Sequence, residues 1–265
     1  MNRYLGPSPE LTINQVRQRE PDWFNLAEDI ASFSGDLIYR LSVPRGDERL
    51  LLAALLFRRV AGAFEAVLAL AERGMHTEGL SARRALLEAL FVLGAICNQP
   101  ELVHVYLKND EHRRRDIFKK IKKLSPTLRK ALAPELTPTI VDEQLTVLEA
   151  SAKGATYMGP EQFAQAAKLY DVYLTDYSFL SEAAHHAAKD LERQIAVDQD
   201  GDVNGVYWGP ESAPPSSLLS PALEHMLVAA RATEALFKIG PSERAAQLWR
   251  RAEEMFEGRA TGPDG

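Results

Sequence analysis

The chain has 265 residues, 46% apolar and 26% charged, the balance of an ordinary globular protein with enough apolar material for a sizeable core. Its formal net charge of -6 repels nucleic acid over the surface as a whole, so a polyanion would have to meet a local basic cluster. The single cysteine, Cys97, excludes an internal disulfide framework and a cysteine-rich metal knuckle, and the start of the chain lacks the apolar core of a signal peptide.

Apolar residues recur at helical spacing almost throughout, and no alternating run is long enough to demand a sheet. The expected fold class is all-α, an antiparallel bundle of long helices. An opening helix is expected from about Leu11, and Pro21 starts a second through "DWFNLAEDIASFSGDLIYRL". The turn Pro44-Arg45-Gly46-Asp47 caps a long helix that Gly74 ends. Thr77 and Glu78 start the next, which reaches Cys97; its stretch "ALLEALFVLGAIC" is too short to span a bilayer and is interrupted by Glu88. Pro100 opens "ELVHVYLKNDEHRRRDIFKKIKKL", Ser125-Pro126 stops it, and Pro134 and Pro138 divide the middle of the chain. Helical character returns through "VDEQLTVLEASAK" and again from Glu161 to about Ala196.

The stretch 198–216, rich in Gly, Pro and Asp, is the one clear loop, and two helices follow it. The expected organisation is an N-terminal helical segment over 1–46, a core bundle over 47–197, the loop, a C-terminal helical pair over 217–257 packed on the core, and a disordered tail over 258–265. The expected location is cytoplasmic, with no membrane partner.

Two polar features stand inside apolar helices. In "TEGLSARRALLEALFVLGAIC", Thr77, Ser81, Arg84 and Glu88 form one narrow stripe, and in the preceding helix Arg58, Glu65 and Glu72 repeat the theme. These edges either meet water and each other or line a shared crevice. In "LTDYSFLSEAAHHAAKD", Tyr173, Tyr177, Leu180, Ala184 and Leu191 fall on an apolar face, Glu182, His186, Lys189 and Arg193 on the wet side, and Ser178, Ser181 and His185 between them. That boundary makes His185 the better site candidate of the two adjacent histidines.

The combination of "RALLEALF", with Arg84 and Glu88, and "YDVYLTDYSFLSEAAHH", with Tyr173, Ser181 and His185, resembles a widespread bacterial family known as a domain of unknown function, number five-six-seven-seven. The similarity covers roughly residues 50 to 190 and implies a shared polar centre without naming its chemistry. A helical bundle centred on a basic residue and a histidine is also similar to HEPN ribonucleases and defence toxins. Their arginine-to-histidine spacing is not found here, so that activity would require Arg84 and His185 to meet in space.

A dinuclear metal oxidoreductase is the rival chemistry. "ELVH" (Glu101, His104) and "EAAH" (Glu182, His185) are Glu-x-x-His pairs, and Glu65 and Glu149 would complete a ligand set. The motif is cheap in a glutamate-rich chain, Glu101 is explained by a helix start, and Glu182 falls toward water, so no metal and no cofactor are expected. The run "HRRRDIFKKIKKL" is an amphipathic basic helix whose charges suit its C-terminal end, with a phosphate contact as the second reading. Gly-rich phosphate loops, the G-x-S-x-G turn, H-E-x-x-H and the dinucleotide fingerprint are all missing from the sequence.

The residues therefore point to a binding or effector protein, in defence or stress response, with RNA or a nucleotide as ligand and a homodimer as an open assembly state; a purely structural interaction protein is the remaining rival. In this reading Arg84 holds phosphate, Glu88 orients Arg84, Tyr173 and Ser181 line the site, and His185 binds or acts as general base.

Overall fold

A computed structural model of the chain describes residues 9–152, 157–184, 195–207, 209–240 and 242–260. The fold is all-α with one small hairpin of strands. In chain order the helices are α1 (Pro9–Arg17), α2 (Pro21–Arg40), α3 (Glu48–Ala71), α4 (His76–Asn98), α5 (Leu102–Lys122), α6 (Pro126–Leu132) and α7 (Pro138–Ala152). Then come α8 (Pro160–Ala167), α9 (Tyr170–Val172), a π-helical turn (Tyr173–Tyr177), α10 (Ser178–Ala184), strands β1 (Ile195–Val197) and β2 (Val203–Val206), α11 (Pro215–Leu236) and α12 (Glu243–Ala260).

Local chemistry sets the long helices. Asp47 caps α3 by accepting from the Leu50 amide at 2.9 Å. Gly74 closes it at φ +67, where the Met75 amide reaches back to the Leu70 carbonyl at 3.0 Å. The turn at 72–75 folds α4 back along α3, and this pair forms the middle of the molecule. At the far end of α4, Arg49 of α3 donates to the carbonyls of Ile96 at 2.9 Å and Cys97 at 2.7 Å, supplying a cation where the helix dipole is negative.

Helix α4 is the central element. It is buried without interruption from Ala89 to Ile96, because α3, α8 and α11 all pack on it. Burial of each of Leu86, Leu87, Leu90, Phe91, Leu93 and Ile96, all fully enclosed, contributes about 1.5–3 kcal/mol against the unfolded chain. A Cβ on Gly94 would stand 2.9 Å from that of Ala167, so the glycine is what lets α8 approach this closely. Around this centre α2 packs on α3 and α11, and α12 rests on α2 and α11, reaching Ala260, past the start of the tail expected at 258. The remainder of that tail lies outside the described residues.

The basic run sits at the end of α5 and is covered on one side by α7, with Lys119 meeting Glu149 at 3.7 Å and Lys122 meeting Asp142 at 2.8 Å. Ser125 both ends one helix and caps the next, its hydroxyl accepting from the Leu128 amide at 3.3 Å.

The single helix expected from Glu161 to Ala196 does not form. Lys168, left-handed at φ 61, ends α8, and the chain restarts as α9 and passes through the π turn into α10. Ile195–Val197 then pairs antiparallel with Val203–Val206, inside and just before the stretch expected as a loop. The turn between them is built by Asp198, whose carboxylate accepts from the amides of Asp200 and Asp202, both at 3.0 Å, with Gly201 at φ +88. Helical periodicity continues across Lys168-Leu169 in the sequence, which is why it hides the break.

Candidate functional site

Two consecutive arginines of α4 serve two different polar clusters, both completed by the π turn that packs beside α4. On one flank Arg84, with a quarter of its side chain exposed, lies with its guanidinium carbon 5.4 Å from the centre of the Tyr177 ring, and its Nη2 donates to the Tyr177 hydroxyl at 3.4 Å. Its Nε stands 3.2 Å from Glu88 Oε1, close enough for charge attraction but without hydrogen-bond alignment. The Tyr177 hydroxyl donates to the same Glu88 oxygen at 2.9 Å, so the three residues close a ring of contacts.

Burial works against the charge of Arg84, but the Tyr177 hydroxyl and the Glu88 carboxylate outweigh it and raise the guanidinium further. Tyr177 is held above its ordinary value, by burial first, with Arg84 opposing and Glu88 reinforcing. Tyr173, placed in the centre by the sequence, is a support: its ring stacks on Tyr177 at 5.2 Å and on Tyr170 at 6.0 Å, with Phe91 edge-on to Tyr177 at 5.7 Å. Ser181 is half-buried one turn further along and makes no hydrogen bond among the described residues. His185, with its neighbour His186, lies outside those residues. The structure thus joins Arg84 to Glu88, adds Tyr177 as the residue between them, and sets Tyr173 behind it.

On the other flank Arg83, 4% exposed, forms an ion pair through Nη2 with Asp176 and donates from Nη1 to the Ser217 carbonyl at 3.4 Å. His225 of α11, also buried, brings Nε2 to 3.8 Å from the second Asp176 oxygen, beyond a hydrogen bond. Burial pushes His225 down to about 3, with the charge of Arg83 acting in the same sense, so it is a neutral imidazole. The Asp176 charge is already engaged by Arg83 and does not rescue it. Burial also raises the Asp176 carboxyl and lowers the Arg83 guanidinium, each opposed by the other's charge. Arg83 Nε, Asp176 Oδ2 and His225 Nδ1 are sealed from solvent without a hydrogen-bond partner among the described residues. Such groups cost about 1–3 kcal/mol each.

Arg83 and Asp176 of this second cluster, but not His225, line an open cleft of about 930 Å³ between the start of α4, α10, the hairpin and the start of α11. A strap after the hairpin closes one end. Glu211 accepts from the Thr77 amide at 3.0 Å and its hydroxyl at 3.2 Å, capping α4 from far along the chain, while its own amide donates to the Gly74 carbonyl at 2.9 Å. Glu20 does the same for α11, accepting from the Ser216 amide at 2.6 Å and hydroxyl at 2.7 Å.

The remaining sequence candidates are dispersed. Glu101 and His104 are exposed at the start of α5, Glu65 is exposed on α3, and Glu149 pairs with Lys119. Among the described residues no three His, Cys, Asp or Glu side chains converge on a metal-sized point, and the second Glu-x-x-His pair ends on His185, outside them. Glu72 meets Arg17 and Arg73, and Arg58 stands exposed. Burial pushes the Cys97 thiol up to about 11, despite the nearby Arg49 charge, which leaves it a packing residue with little thiolate. No described helix is long and apolar enough to cross a membrane.

Sequence reasoning passed over Arg83, Asp176 and His225. The available signal was a charged or titratable side chain on the apolar face of three separate helical stretches: Arg83 beside Leu80 and Leu87, Asp176 beside Tyr173 and Leu180, and His225 within "SPALEHMLVAA".

No curated protein and no solved structure matches the chain. The model of the Family of unknown function (DUF5677) matches residues 50–202, from the start of α3 through the turn of the hairpin, and so spans more than half of the chain, with both arginines, Glu88, Asp176 and Tyr177 inside the match and Ser217 and His225 beyond it. With that span the chain belongs to this family of unknown function.

Proposed function

We propose that the protein is a binding or effector protein that holds a phosphate-bearing ligand, a nucleotide or the end of an RNA, at Arg84. One observation carries this: Arg84 is fixed by the ring and hydroxyl of Tyr177 and by Glu88, while its Nη1 edge makes no bond among the described residues at a partly exposed position. A guanidinium oriented from behind and open at its front is the arrangement that binds phosphate with little ordering cost. Glu88 orients the guanidinium directly and through Tyr177, and the Tyr170–Tyr173–Tyr177 stack fixes the ring. The net charge of -6 favours a mononucleotide over a long RNA, whose remaining phosphates would meet a repelling surface.

The test pairs Arg84→Met with Glu88→Gln in one variant, which removes both charges together. Binding of a nucleotide series and of a short RNA is measured by calorimetry at low and at moderate salt, beside a thermal melt. The parent binds one of these probes with an affinity that falls as salt rises, and the double variant keeps its melting midpoint but loses at least about tenfold in affinity, the value of one charge-assisted contact. Equal binding by parent and variant, or binding of no phosphate probe by the parent, removes Arg84 from this role.

A further inference from the structure

Helices α2, α4 and α11 pack on α3 and leave one side of it bare. That side is a single stripe: at about 100° per residue, Leu51, Leu55, Gly62, Ala66 and Ala69 all fall within about 40° of its centre line. All five are exposed, Leu51 at 50% and Leu55 at 56%. A Cβ on Gly62 would meet nothing within 4 Å, and the stripe sinks there into a groove of about 310 Å³ shared with Ala63 and with Ala82 and Ala85 of α4. Exposed leucines around a glycine suit a second helix, which the leucines hold and the glycine lets come close.

The charges on the same side select which helix that is. Arg58 and Glu65 stand on one edge of the stripe and Arg59 on the other, all exposed, and none of their side chains makes an ion pair or hydrogen bond among the described residues. Arg58 and Glu65 lie on either side of Gly62, about 10 Å apart along the axis. A second α3 packed antiparallel about a two-fold axis near Gly62 brings its Glu65 to Arg58 and its Arg58 to Glu65, and sets its Ala69 against Leu55. A parallel copy would set like charge on like. The face is therefore complementary to itself, the property that a two-fold contact requires.

The size of the face fits this occupant. From Leu51 to Ala69 the stripe is about 27 Å long, and with the adjoining surface of α4 it is about 20 Å wide, which gives about 1,000 Å² over two copies. That is the lower bound of a specific interface, so the assembly depends on concentration.

We propose that the α3–α4 face binds a second copy of the chain, through an antiparallel contact of α3 with α3 on a two-fold axis near Gly62 and with reciprocal Arg58–Glu65 ion pairs. Arg84 is not in the lining of the groove, so this surface is separate from the phosphate site proposed above.

Sedimentation velocity of the full chain, from low micromolar to several hundred micromolar, reads the assembly directly. The parent shows a monomer–dimer equilibrium in the micromolar range. Gly62→Gln puts a long polar side chain where the copies meet and removes a helix-weakening glycine from an uncrowded position. Its melting midpoint stays at or above that of the parent, and its dimer is weakened about tenfold or more. Arg58→Glu sets like charges together at both ends of the contact and weakens the dimer to a similar degree. Arg58→Glu combined with Glu65→Arg restores the parent's association, because the exchanged charges meet again across the two-fold axis. A chain that stays monomeric at every concentration overturns the proposal and leaves the face to a different occupant. A dimer indifferent to Gly62→Gln and Arg58→Glu forms elsewhere on the molecule and overturns it too, and a dimer that the charge exchange does not restore rules out the antiparallel pairing on which it rests.

Discussion

Arg83 and Arg84 differ by one step along the same helix, and the comparison between them separates two uses of a charge. One step rotates a side chain about a quarter of the way round the helix, which carries Arg83 into the packing between α4, the π turn and α11 and leaves Arg84 at the rim. Arg83 meets a single carboxylate in a setting where losing it strands that carboxylate. Arg84 shares its charge with a more exposed carboxylate and packs over the ring of Tyr177. Depth, more than charge, decides which arginine the fold depends on.

The largest test of that difference replaces each arginine by methionine. Arg83→Met leaves the half-buried Asp176 without a counter-charge and is expected to cost about 3 kcal/mol in denaturant unfolding, whereas Arg84→Met costs about 1 kcal/mol or less. Adding Asp176→Leu to the first variant recovers much of the loss. Equal costs for the two single variants would show that the interior and the rim are not distinct.

A smaller effect sharpens the interior side. His225 is pushed down to about 3 by burial and Arg83, and it faces Arg83 of α4 and Asp176 of the π turn. The unfolded chain, with an ordinary imidazole, binds a proton that the folded chain refuses, so stability is lost as pH falls below the unfolded value and continues to fall toward the folded one. Between pH 7 and pH 5 this amounts to about 2 kcal/mol. In His225→Gln that part of the slope disappears, and an unchanged slope in the melts would mean that another group is responsible. The smallest effect concerns the strap: Glu211→Ala removes the distant cap of α4 and lowers stability by about 1 kcal/mol, with Thr77 amide exchange accelerated and that of Leu90 unaffected.

Much of the fold was legible because helix punctuation is local. Pro21 and Gly74 act through their own backbone geometry, Asp47 and Ser125 through a side chain that caps the adjacent turn, and each marks the boundary it was expected to mark. The break at Lys168, the π turn and the hairpin were not legible, because each depends on contacts with α4 or on a turn chemistry that apolar spacing does not register. At the site, the Arg84 and Glu88 stripe was readable as polar residues at helical spacing. Tyr177 as their bridge was not, since it shares an apolar face with Tyr173 and only packing distinguishes them. Arg83, Asp176 and His225 were hidden for the opposite reason: each sits alone among apolar neighbours, and a pattern exists only once three elements are brought together.

The π turn has one more consequence. It sets Asp176 and Tyr177, consecutive in the chain, against Arg83 and Arg84, also consecutive, so that acid meets one guanidinium and phenol the other. Apolar ridges between two helices tolerate sliding, because one leucine replaces another at modest cost. A two-by-two match of unlike groups does not. Displaced by a single position, the acid would lose its buried arginine and the phenol would lose the partner over which it stacks. The pairing is thus a key that admits one alignment of α10 on α4, and the alignment of a helix pair is decided here by two adjacent pairs of polar side chains at the edge of a large apolar contact.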